Sequence, residues 1–116
     1  MRWRALESPM QTYHFDHERL DVYRLSLEVA RWVAATDFPR GYASLKDQAV
    51  RAAQSVVMNI AEGRGRGGDA GRNHFRIALG SAAEACAALD LLGSAAAGEQ
   101  QQKLRRVGAM LHRLAG

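Results

Sequence analysis

The sequence predicts an all-α protein, an up-and-down antiparallel four-helix bundle, and three observations carry that expectation. Apolar residues recur at three- and four-residue steps in four separate segments. No segment alternates apolar and polar residues between turn signals, as a half-buried strand would. The two prolines, Pro9 and Pro39, both fall outside the periodic segments, and the joins between segments are short. A chain of 116 residues supports one domain with one core. The bundle is assigned to residues 15–116, preceded by an N-terminal extension over residues 1–14.

The first helix is expected from His17 to Thr36, where Leu20, Tyr23, Leu27, Ala30 and Ala34 form an apolar stripe. Val22, Val29 and Val33 widen that stripe, which implies that more than one face is covered. Asp37 to Ala43 reads as a loop. Ser44 with Asp47 three residues on is a weak capping-box start for the second helix. That helix is expected to run to about Glu62, with Leu45, Ala49, Ala52, Val56 and Ile60 inward. Gly63 is placed to end it in the left-handed conformation that glycine adopts at little cost. Asp69 is expected to cap a third helix through Leu92, with Phe75, Ala78, Leu79, Ala82, Cys86 and Leu89 inward. Its stretch "GSAAEACAAL" is so rich in small residues that a neighbouring backbone should approach closely. "SAAAGE" reads as a break, and Leu104, Val107, Leu111 and Leu114 mark a fourth helix.

Composition removes several classes. A hydrophobic content of 47% with 24% charged residues is that of a folded globular chain rather than a disordered one. The longest apolar run is the five residues Ala85 to Leu89, far short of the ~20 that span a bilayer. The N-terminal stretch lacks the apolar core of a signal peptide, and the single cysteine, Cys86, allows no internal disulfide. These features predict a cytoplasmic protein with no membrane partner. The net charge of +4 is concentrated: residues 40–76 carry seven basic side chains against three acidic ones. Such a surplus attracts polyanions.

Inside that surplus lies "SVVMNIAEGRGRGG", with a literal G-x-G-x-x-G at Gly63, Gly65 and Gly68. A dinucleotide fingerprint needs a strand entering the glycine turn and a helix leaving it. Here a helix enters, and no G-K-[ST] follows, so no nucleotide cofactor is expected. The stretch reads instead as a flexible helix–helix loop. Arg64 and Arg66 would form the mobile edge of a phosphate-binding surface, helped by Arg72 and Arg76 one turn apart on the next helix. No aromatic residue interleaves with these arginines before Phe75, which is assigned to the core. Base stacking is therefore not expected, and binding should be led by the nucleic-acid backbone.

Gln48, Arg51, Ser55, Asn59 and Glu62 follow three- and four-residue steps and fall within an arc of about 80° on the second helix. Short amide and hydroxyl groups at the border of an apolar sector suit either a hydrogen-bond network between packed helices or an exposed face. The stretch from Leu45 to Gly68, followed by "HFRIALGSAAEA", resembles the signature of the 23S rRNA intervening-sequence protein family. The matching positions are Gln48, Arg51, Ser55, Asn59, Ile60, Ala61, Glu62 and Gly63, then Phe75, Ala78, Gly80, Ser81 and Glu84. The similarity covers about residues 15–115, and the pairing of N-I-A-E-G with G-S-x-x-E is fairly specific. Ala82 and Ala85 depart from the bulkier residues usual there. The resemblance implies a basic helical bundle assembling as a ring-like homopentamer, with Ser81 and Glu84 joining the polar network. One branch of the family works with a reverse transcriptase and nucleic acid.

His14 and His17 are three apart, whereas His74 and His112 are isolated; these are read as solvated or capping residues, with no metal site. Ser55 and Ser81 have no histidine at helical spacing that would activate a nucleophile, so no enzyme is expected. Two functions survive. One is a non-enzymatic oligomeric accessory protein that binds RNA or DNA through Arg64, Arg66, Arg72 and Arg76. The other is a homo-oligomeric scaffold that recognises a protein partner without nucleic acid.

Overall fold

The computed structural model describes residues 12–116, so most of the expected N-terminal extension, residues 1–11, lies outside the described residues. A short 3-10 turn over Asp16–Arg19 leads into four helices: α1 (Asp21–Ala35), α2 (Ala43–Arg66), α3 (Gly68–Leu92) and α4 (Ala95–Leu114). There is no strand among the described residues. Each helix packs on its neighbours in the chain, and α4 closes the bundle against α1. The α2–α3 pairing is the most extensive. Its core is built largely of alanine, with Ala49, Ala52 and Ala53 on α2 and Ala78, Ala82, Ala85 and Ala88 on α3. Small side chains let the two helix axes approach, and Val56, Ile60, Phe75 and Leu89 fill the remaining space.

The core side of α1 differs from the expected stripe. Val22, Ser26, Val29 and Val33 are buried, while Leu20, Tyr23, Leu27 and Ala30 are only half-buried and Ala34 is exposed. Two apolar stripes lie side by side on this helix, and the valine stripe fits the alanine-rich core. Its one polar member, Ser26, is neutralised locally: its hydroxyl donates to the Val22 carbonyl at 2.6 Å.

Helix ends also differ from expectation. α2 does not stop at Gly63 but continues through Arg66. Gly67, at φ 66°, is a one-residue corner joining α2 to α3. Its N–H donates to the Gly63 carbonyl at 3.1 Å, and its own carbonyl accepts from the Gly71 N–H at 2.9 Å. Gly63 itself is buried against α3, where an added Cβ would lie 2.8 Å from the Phe75 ring and 2.9 Å from the Gly71 carbonyl oxygen. The glycine thus serves close helix packing rather than helix termination. Asp69 lies within the first turn of α3 and pairs with Arg72 instead of capping the helix. Ser44 does not cap α2; Tyr42 holds that position without a side-chain bond. The expected break at "SAAAGE" shrinks to Gly93 and Ser94, whose hydroxyl caps α4 by accepting from the Ala97 N–H at 3.1 Å.

Candidate nucleic-acid interface

The α2–α3 corner brings the four sequence-predicted arginines to one end of the bundle, in a different form from the mobile loop expected. Arg64 and Arg66 belong to the last turn of α2, where basic residues complement the helix dipole. Two residues apart on a helix, they point to different sides. Arg64 is exposed and makes no side-chain hydrogen bond among the described residues. The Arg66 Nε donates to Glu62 Oε2 at 2.6 Å, and both groups are about half exposed. The hydrogen bond from Arg66, reinforced by its charge, holds the Glu62 carboxyl below its ordinary pKa. Arg72 pairs with Asp69 within α3. Arg76 Nη2 donates to the Ala115 carbonyl at 3.2 Å, tying α3 to the end of α4. Three of the four guanidiniums therefore have partners inside the chain.

The polar stripe divides. Ser55, Asn59 and Ser81 form a half-buried network across the α2–α3 interface, with Ser55 Oγ 2.7 Å from Ser81 Oγ. The Asn59 amide nitrogen donates to the Ser55 carbonyl at 2.9 Å and to its hydroxyl at 3.1 Å. That orientation leaves Asn59 Oδ1 to accept from His74 Nδ1 at 2.9 Å. His74, isolated in the sequence, is the member that spacing could not reveal, because its partner lies on another helix. Gln48, Arg51 and Glu84 do not join the network: they are exposed and make no side-chain hydrogen bond among the described residues. Glu62 is also exposed and engages Arg66 instead. The imidazole meets Asn59 rather than either serine, so the arrangement is a hydrogen-bonded staple between helices.

This network and the helices around it carry the N-I-A-E-G and G-S-x-x-E positions, and residues 18–113 match the family model described as 23S rRNA-intervening sequence protein. The chain belongs to that family. The match spans all four helices of the bundle. No curated protein matches the chain at a significant level.

Two further surface features of this family member escaped the sequence reading. A groove of about 370 Å³ runs between α1 and α2, walled by Leu27, Ala30, Ala34, Val57 and Met58, with Arg31 and Gln54 beside them. Met58 is 66% exposed there. Beside it, a cleft of about 620 Å³ is lined by Tyr13, Phe15, His17, Met58, Glu62 and Arg66, among others. The aromatic side of that cleft comes from the segment preceding α1, some fifty residues from Arg66 in the chain, so no local pattern could have announced it. Among the described residues there is no cluster of three or more histidine, cysteine or carboxylate side chains able to hold a metal ion. No helix among them is long and apolar enough to cross a membrane.

Proposed function

We propose that this protein is a non-enzymatic, oligomeric accessory protein of the cytoplasm that binds RNA or DNA through a basic surface with little sequence specificity. The observation that carries this reading is the gathering of Arg64, Arg66, Arg72 and Arg76 around a one-residue corner at one end of the bundle. That corner lies in the part of the chain holding the charge surplus. Guanidinium groups suit phosphates because their planar donors match two phosphate oxygens at once. The family name, which refers to an intervening sequence of 23S rRNA, supports an RNA partner.

The apolar groove between α1 and α2 supports self-association, since a solvent-facing Met58 beside Leu27 and Val57 leaves apolar surface uncovered. The family resemblance favours a pentamer. Each copy of the corner would then repeat around a ring, and few arginines per chain would sum to a larger field. The same groove supports the second reading, a scaffold that recognises a protein partner such as a reverse transcriptase.

The deciding experiment is titration with structured RNA and duplex DNA over a range of salt concentrations. Binding led by phosphates releases counterions, so affinity should fall steeply with salt and differ little between sequences. Changing Arg64, Arg66, Arg72 and Arg76 together to Gln should leave a folded oligomer with most of its affinity lost and a shallower salt slope. Unchanged affinity and slope would move the site elsewhere on the surface. No binding by the wild type at low salt would overturn the reading in favour of the scaffold.

A further inference from the structure

We infer that the cleft between the Tyr13–His17 segment and α2 is a stacking site for a base of single-stranded RNA or DNA. The inference rests on the nucleic-acid reading and adds to it a contact with bases, which a phosphate-led surface does not make.

The residues leading into α1 place aromatic rings at every second position: Tyr13, Phe15 and His17. The rings form a continuous train. Tyr13 meets Phe15 edge-on at 5.0 Å between centroids, and Phe15 stacks on His17 at 6.0 Å with planes 21° apart. His17 then meets Tyr23 of α1 at 4.6 Å, which anchors the train to the bundle. The outer end faces solvent: Tyr13 is 75% and Phe15 58% exposed. Large rings set in an array and left largely in water offer π-surface that the chain covers only in part.

The opposite wall is a strip of α2, and its chemistry selects the ligand. Met58, Ala61 and Gly65 make a smooth apolar floor, and Arg66 stands at the rim. Asp16 and Glu62 add two carboxylates. A phosphate inside the cleft would be repelled by them, whereas the amino group of a base can donate to either one. The flat face of a base suits the rings, and the backbone phosphate that follows it stays outside, within reach of the Arg66 guanidinium. Its rings and carboxylates distinguish the cleft from the neighbouring groove, which has neither and whose lining is mainly apolar apart from Arg31 and Gln54.

The test compares a short single-stranded oligoadenylate with an abasic strand of the same length and charge, by fluorescence anisotropy on the full chain. Wild type should prefer the base-bearing strand by roughly ten-fold, the order of one stacked base. Replacing Tyr13 and Phe15 together with Leu keeps apolar bulk and removes the π-faces. That variant should lose the preference while keeping the wild-type salt slope, and circular dichroism should show the same helix content. The ring protons of Phe15 and Tyr13 should shift upfield when the oligoadenylate saturates the protein. Equal wild-type affinity for the two strands, or a preference that survives the double substitution, overturns the stacking site and leaves the phosphate-led reading standing. Failure to bind either strand at low salt overturns the stacking site, and the nucleic-acid reading falls with it only where structured RNA and duplex DNA are not bound either.

Discussion

Gly63 of α2 and Gly71 of α3 meet backbone to backbone, so closely that a Cβ added to Gly71 would sit 2.5 Å from the Gly63 carbonyl oxygen. No side-chain rotation relieves such a contact, because the obstacle is main chain. Gly71→Ala should therefore push α3 away from α2 and destabilise the fold by about 1–3 kcal/mol, the usual cost of overpacking. Gly65 faces open space two residues further along the same helix. Gly65→Ala should be neutral or stabilising by up to about 1 kcal/mol, since it removes only the entropy cost of a helical glycine. Urea denaturation of the two variants checks both signs; a Gly71→Ala midpoint at or above wild type would show that the helices separate without cost.

The interhelical network predicts a contrast between two members of the polar stripe. Asn59 is half-buried and joins Ser55 to His74. Asn59→Leu removes both bridges and leaves the His74 N–H facing an apolar group, which should cost about 1–3 kcal/mol. Glu62 is solvent-exposed, and its side chain hydrogen-bonds only to Arg66 among the described residues. Glu62→Ala should leave the denaturation midpoint close to wild type, as exposed ion pairs do. Equal losses for the two variants would mean that the stripe acts as one unit.

The Glu62 carboxyl should titrate below the ordinary glutamate range, because the Arg66 hydrogen bond and charge favour its ionised form. A carboxyl depressed in the folded state contributes stability above its unfolded value, and that contribution is lost as pH falls through the folded value. The change with pH therefore falls on the acid side; near neutrality the contribution is fully present and does not vary with pH. Carboxyl carbon shifts followed by NMR should show the Glu62 midpoint rise in Arg66→Gln. A midpoint unmoved by that substitution would mean that the ion pair does not persist in solution.

The groove between α1 and α2 predicts an effect on association. Ala34 lines it and is exposed in the single chain. Ala34→Glu places a charge on that wall without disturbing the buried valines of α1. Light scattering should give a multiple of the chain mass for the wild type and a smaller mass for the variant, whose helix content stays the same. A wild-type monomer at micromolar concentration would refute the oligomer.

The sequence by itself determined the four helices, because the three- and four-residue apolar steps that define them are local and survive any packing arrangement. It also determined most of the inward residues it named on α2 and α4: Leu45 and Leu114 stay half-buried, and on α4 the buried Ala97, Gln100 and Gln101 lay outside the apolar stripe. On α1 two stripes compete, and only the tertiary structure chose the valines, leaving Leu27 and Ala30 to wall a groove. In "GRGRGG" the local signal for a helix end was overridden by packing: Gly63 is retained inside α2 because Gly71 and Phe75 press against it. Ser55 and Asn59 were legible as neighbours on one helix and the family resemblance brought Ser81 to them, but the link to His74 was not legible, since that bond joins residues fifteen positions apart on different helices. The same limit hid the cleft. Tyr13 and Phe15 stand beside Arg66 only because the chain ahead of α1 folds back across α2, and a contact between distant segments leaves no periodicity to read.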